Sequence, residues 1–237
     1  MHYLLVPISN LILDKVIKLD DVIIFPCYFK NLSKLHFDYD VEEEKNTVLS
    51  LIKSCPFIIS MCGNLGINLA IFKNNVEFNQ ITNINNFIES KLYNLNRLLD
   101  YIRINYCTFS NRETLIGLPG LIDKKKEVFF YDSSFKFIQS VKCKPNFYST
   151  QPGIGLDASS IDCSKNNNEI YTALNSTRTD EVYKEFRTIL ARACNAMHII
   201  DINRCFCYLF STVERMASQK YCKFENRKKK SNFIYSK

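Results

Sequence analysis

Apolar residues recur along this chain with two different periods, and the change of period divides it. From residue 1 to 80 the apolar runs are short and β-branched: "YLLVPI", "KVIKLDDVIIFPCYF", "PFIISMC" and "INLAIF", punctuated by Pro7, Pro26 and Pro56. Such runs predict strands. In "ITNINNFIESKLYNLNRLLDYIRINYC" the step becomes three and four, through Ile84, Phe87, Ile88, Leu92, Leu95, Leu98, Leu99, Ile102 and Tyr106. That pattern predicts one amphipathic helix of about six turns. Its outward face would carry Glu89, Lys91, Arg97, Asp100 and Arg103. Strands return after residue 112, with "DKKKE" as a hairpin tip between "LIGLPGLI" and "VFFYD".

Residues 146–168 concentrate Pro, Gly, Ser and Asn without a period and read as a linker. Beyond them the helical period resumes. "STRTDEVYKEFRTILARACNAMHII" opens on Ser and Thr caps and early acidic residues, which suit the positive end of a helix dipole. Its expected buried stripe is Val182, Phe186, Ile189, Leu190, Ala193, Met197 and Ile200. Asp201 is placed to cap a second helix, with Ile202, Phe206, Leu209, Val213 and Met216 as its buried stripe. The short turn between the two makes them pack antiparallel or sharply bent. The expected fold class is therefore α+β. A β-rich N-terminal domain with one long helix (1–145) precedes the linker and a C-terminal helical segment (169–237).

Composition adjusts this picture in three places. The formal charge of +7 at pI near 8.8 is a mild basic excess, less than charge-driven duplex binders usually carry. Ten cysteines occur without a Cys-x-x-Cys couple, and only three histidines are present, so neither a zinc site nor any other metal is indicated. Cysteines inside apolar runs behave as small hydrophobes and point to a reducing, cytoplasmic setting. The uncharged run 54–72 approaches the length of a membrane span, but Pro56 and "GNLG" divide it, and it reads as two strands around a Gly-Asn turn. No signal peptide is evident. No dinucleotide fingerprint, Walker loop, nucleophile elbow or His-Glu-x-x-His motif appears, and no cofactor is expected.

The candidate chemistry lies in "ILARACNAMHIIDINRCFCYLFSTVERMA", residues 189–217. Arg192 and His198 stand six positions apart, ~120° around an ideal helix, so one straight helix does not aim both at one phosphate. The structural reading makes Arg192 a solvent-side or ion-paired residue and His198 a helix-end cap. Arg204 and Glu214 lie ~80° apart on the next helix and read as structural ion-pair residues. The run Arg227, Lys228, Lys229 and Lys230 can attract RNA phosphates without reading sequence, or serve as a solvated face.

Three features together resemble the HEPN-type proteins of bacterial abortive-infection and phage-defence systems: the helix "LNRLLDYIRI", a helix beginning near "RTDEVYKEF", and "DINRCFCYLFSTVERMA". The last is similar to an Asp-x-x-Arg-Phe…Leu-Glu helix of that family. The resemblance covers roughly residues 81–105 and 168–230. It implies a helical domain that forms a homodimer and acts on or senses RNA, in response to a phage-derived trigger the sequence does not identify. In catalytic members an Arg and a His four to six residues apart meet across the dimer interface and cut RNA without metal. That pair follows the Asp-x-x-Arg helix, so here it is expected beyond Lys237, in a chain expected to be incomplete. Arg192 and His198 match the spacing one helix too early. The alternative expectation is a non-enzymatic protein whose helical half dimerises or binds partners.

Overall fold

The computed structural model describes residues 2–27, 35–109, 111–122, 125–143, 155–157 and 181–221. Its fold is α+β, and it divides into two compact units, Met1–Asn168 and Glu169–Lys237.

In the first unit, strands β1 (His2–Ile8), β3 (Lys15–Leu19), β4 (Val22–Pro26), β5 (His36–Phe37), β6 (Asn68–Asn74), β7 (Leu121–Ile122), β8 (Lys125–Tyr131) and β9 (Phe137–Cys143) form one sheet. The order is β5-β3-β4-β6-β1-β8-β7, with β9 on β8. Every pairing is antiparallel except β3 with β5. β3 turns into β4 through Asp20, whose φ of 58° is left-handed, and Leu19 pairs with Val22. Strand β2 (Leu11–Ile12) pairs in parallel with β10 (Leu156–Asp157), so Gly155–Asp157, inside the stretch read as a linker, is tied to β2. Gly155 has φ +88°, and a side chain there would meet the Asn10 backbone at 3.1 Å.

The sheet is covered on both faces, which explains why β1 and β4 are buried almost throughout instead of alternating. Helices α1 (Glu42–Ser54) and α2 (Pro56–Asn64) cover one face, where Val48, Leu51, Ile58 and Cys62 join Leu5, Phe25, Leu69 and Phe129 in one core. Helix α3 (Ile84–Tyr106) lies on the other, its Phe87 ring 6.3 Å from Phe130 and its Lys91 ammonium 5.3 Å from the Phe72 ring.

Two expectations are corrected here. The half-run "PFIISMC" is helical, not a strand: Pro56 sits in the first turn, where its missing N–H costs nothing. Cys55, Ile58 and Cys62 are buried at helical spacing. Its lack of charge reflects contact with the sheet and not a second strand. Among the described residues no single helix is long and apolar enough to cross a membrane; α1 and α2 pass that test only together, bent by 87°.

The second correction concerns α3. Asp100 and Arg103, expected on its outward face, are fully buried, because the C-terminal half of α3 is enclosed on more than its apolar stripe. The Arg103 Nη1 donates to Asp100 Oδ1 at 2.6 Å and to Asn96 Oδ1 at 2.9 Å. Its Nε donates to the Ile116 carbonyl at 3.2 Å and its Nη2 to the Gly117 carbonyl at 2.7 Å. The segment so held runs beside β1, where the Gly117 N–H donates to the Ser9 carbonyl and the Gly120 N–H to the Pro7 carbonyl. Removing one member of a buried ion pair strands the other, at a cost of about 3–5 kcal/mol. Arg103→Met is therefore expected to lower the urea midpoint sharply, and Asp100→Leu/Arg103→Met to recover much of the loss. Equal losses in the single and double variants would refute the role of the pair.

Candidate functional site

The second unit pairs α4 (Glu181–Met197) with α5 (Ile202–Tyr221). A tight turn joins them: the His198 N–H donates to the Asn195 carbonyl and the Ile199 N–H to the Ala196 carbonyl. Asp201 then caps α5, its Oδ1 accepting from the Arg204 N–H at 2.8 Å, as its position before the apolar period predicts. The expected Ser and Thr caps of α4 lie outside the described residues.

Arg192 is the centre of the helix–helix contact. Its Nε donates to Thr212 Oγ1 at 2.9 Å, and its Nη2 to Ser211 Oγ at 2.6 Å. The guanidinium carbon stands 4.6 Å from the centre of the Tyr208 ring, a cation–π distance. Both hydroxyls in turn donate to the Tyr208 carbonyl, at 2.8 and 2.9 Å, so their oxygens are left to accept from the arginine. Among the described residues Arg192 makes no ion pair, and its side chain is half-buried between the helices. It is a bolt between α4 and α5, held by hydroxyl dipoles and an aromatic face. His198 is half-buried just past the end of α4, ~9 Å further along the axis than Arg192 by helical rise. Spacing alone had linked the two residues, and the Arg192 side chain is turned to the hydroxyls of the facing helix.

Arg204 and Glu214 are both exposed on α5, and among the described residues neither makes an ion pair. The ion pair that does join the helices is one position further on: Arg215 grips Glu185 through Nε–Oε1 at 2.5 Å and Nη2–Oε2 at 3.2 Å. The signal for it was available, since Arg215 and Glu185 both stand outside the apolar stripes of their helices. Residues 227–230 lie outside the described residues. Among the described residues, no group of three or more His, Cys, Asp or Glu is placed to hold a metal ion.

The largest departure from expectation is the apolar stripe of α5. Of the expected stripe Ile202, Phe206, Val213 and Met216 are 45% to 78% exposed and Leu209 is half-buried; Phe210 beside them is exposed too. The face turned to α4 is instead made of Cys205, Tyr208, Ser211, Thr212 and Arg215. Cys205 is buried there and its thiol donates to the Ala196 carbonyl at 3.4 Å. On α4 the stripe is likewise incompletely covered: Met197 is buried, but Phe186 and Ile200 are exposed, and the side chain of Val182 is outside those described. Comparison with family models, with curated proteins and with solved structures finds no match to this chain.

The bidentate hydrogen bonds from Arg215 hold the Glu185 carboxyl below the usual glutamate range, with Coulombic attraction from the same guanidinium adding to them. A lowered acid contributes stability above its unfolded pKa and loses it as pH falls through the folded one. The stability gap between the wild type and Arg215→Gln is therefore expected to be constant above about pH 5 and to close as the solution is acidified below the ordinary glutamate pKa. Thermal melts across pH 2 to 7 check this; a gap that persists at the acid end would show that the pair does not act electrostatically.

Proposed function

We propose that the chain is a HEPN-like association protein of an RNA-directed defence system, in which the helical unit pairs with a second copy through α5. In this reading the chain does not itself supply the Arg-His cutting pair. The observation that carries the proposal is the exposed stripe of α5. By helical geometry Ile202, Phe206, Leu209, Phe210, Val213 and Met216 fall within an arc of ~120°, and the Phe206 and Phe210 rings stack with centres 6.2 Å apart. Contiguous apolar surface of this kind is rare on a monomer and marks an interaction face.

A second copy suits this face because its apolar repeat is helical and steps by four and three, the spacing with which helices interlock. A self-complementary patch on one helix is also what a two-fold dimer requires. The RNA and defence assignments rest on the resemblance of residues 81–105 and 168–230 to HEPN-type proteins. The engagement of Arg192 by Thr212, Ser211 and Tyr208 supports the non-cutting form of that reading. A guanidinium whose Nε and Nη2 are held by two hydroxyls and whose face lies on a ring is oriented toward the facing helix.

Two measurements test the proposal. The wild-type chain is expected to run as a dimer in light scattering at micromolar concentration, and Phe206→Asp/Val213→Asp as a monomer with an unchanged helical circular dichroism signal. A wild-type monomer at the highest soluble concentration would defeat it. RNA incubated with the chain in a metal chelator is expected to stay intact. Cleavage that His198→Ala abolishes would restore the catalytic reading of that residue.

A further inference from the structure

The first unit contains a cavity of about 550 Å³ between the start of α2 and the β8–β9 hairpin, within the range of about 300–1,000 Å³ usual for small-molecule sites. Its walls are aromatic: Phe57 from α2, Phe129 and Tyr131 from β8, Phe135 and Phe137 from the hairpin. At its mouth Phe57 is 81% and Phe137 52% exposed, so two rings stand open to water, while Cys55, Ile58, Phe129 and Tyr131 are buried. Phe137 meets the buried Tyr131 edge to face, with ring centres 5.6 Å apart.

The wall formed by Phe135 is held in an uncommon backbone state. Its φ is +59°, a left-handed conformation that is costly for a bulky side chain. The hairpin turn enforces it: Asp132 Oδ1 accepts from the Ser134 and Lys136 N–H groups, and the Phe135 N–H donates to the Asp132 carbonyl. The Cys55 thiol donates to the Phe135 carbonyl at 3.7 Å, and the ring itself stacks on Tyr3 with centres 4.8 Å apart. A glycine would satisfy this turn without strain; the aromatic ring is present although the backbone disfavours it.

Two charged side chains line the cavity, Glu127 and Lys136. Glu127 lies directly opposite Lys142 in the β8–β9 register, where opposite charges on neighbouring strands favour one another. Lys136 faces Asp132 across the hairpin turn, but the Asp132 Oδ1 is taken up by the Ser134 and Lys136 N–H groups, and among the described residues no carboxylate pairs with the Lys136 ammonium. Among the described residues the cavity therefore offers flat π-surfaces, the Glu127 carboxylate facing Lys142, and at Lys136 an ammonium without a carboxylate partner.

We propose that this cavity binds a small planar aromatic molecule carrying an anionic group, with the ring between the aromatic walls and the anion toward Lys136. Two sources share that chemistry, a nucleoside monophosphate and an aromatic carboxylic acid. Both can be tested on the full chain by amide NMR titration, with adenosine monophosphate against adenosine and indole-3-acetate against indole. One anionic member is expected to bind more tightly than its neutral parent and to shift the amides of Phe57, Phe135, Lys136 and Phe137. Lys136→Gln should weaken the anionic ligand roughly fivefold, an exposed ion-pair effect, and leave the neutral parent unchanged. Phe57→Ser, at a position too exposed to endanger folding, should weaken both on the order of tenfold, as loss of a stacking surface does. Which pair responds identifies the source. Absence of shifts with all four probes overturns the proposal, as do shifts elsewhere in the chain, equal binding of acid and parent, or affinities unmoved by both variants.

Discussion

A fully buried guanidinium has to find an acceptor for each donor it brings, and Arg103 satisfies that demand by joining α3 to the segment that follows it. Its partners are a carboxylate and an amide one and two turns back on α3, and two successive carbonyls of the segment after α3. Those carbonyls belong to the residues that complete the second edge of β1. Where β8 stops pairing with β1 at Leu5, the N–H groups of Gly120 and Gly117 take over, bonding Pro7 and Ser9. A Cβ at position 117 would stand 2.1 Å from Ser9 Oγ and 3.3 Å from the Ser9 carbonyl oxygen, so a side chain there would require the Ser9 hydroxyl to turn away. The helix layer, the irregular segment and the central strand are thus fixed by one cation in a place too dry to leave it unpaired.

The sequence disclosed those features whose cause is local. Helix α3 follows from its three-and-four repeat, the capping of α5 from an aspartate before an apolar period, and the β7–β8 hairpin from its charged tip, of which Lys125, Lys126 and Glu127 already lie in β8. Features decided by what lies opposite were not legible. Asp100 and Arg103 have the i, i+3 spacing of any surface pair, and nothing in the helix itself says that Ile116 and Gly117 will enclose them. An uncharged run such as 56–64 fits a buried strand or a helix against a sheet equally well until its neighbours are known. The burial of Cys55 and Ile58 three positions apart, with Ser60 exposed between Ile58 and Cys62, separates the two.

The helical unit shows the same limit in a functional setting. An arginine and a histidine at a suggestive interval say nothing about where a guanidinium points, and here Ser211, Thr212 and Tyr208 on the facing helix decide it. Periodicity likewise located α5's apolar stripe but assigned it to the interior of the chain. A stripe reports that a surface wants covering; it does not report whether the cover comes from the same molecule. The residues that fasten α5 to α4 are instead its hydroxyls, an aromatic ring and Arg215, which a hydrophobicity pattern counts as the outside.

The order of strands in the sheet has a consequence for how the molecule is made. β1 is the first element of the chain, yet its neighbours are β6 and, on the other side, β8, with Tyr3 opposite Tyr131. Contacts of such long sequence separation are slow to form, since the loop they close must be ordered before they reward it. The α4–α5 hairpin needs only adjacent residues and nucleates quickly. During synthesis the first strand therefore emerges long before both of its edges can be filled. The first unit is the slow-folding part of this protein, and an apolar β1 waiting for β8 is its period of greatest exposure to aggregation.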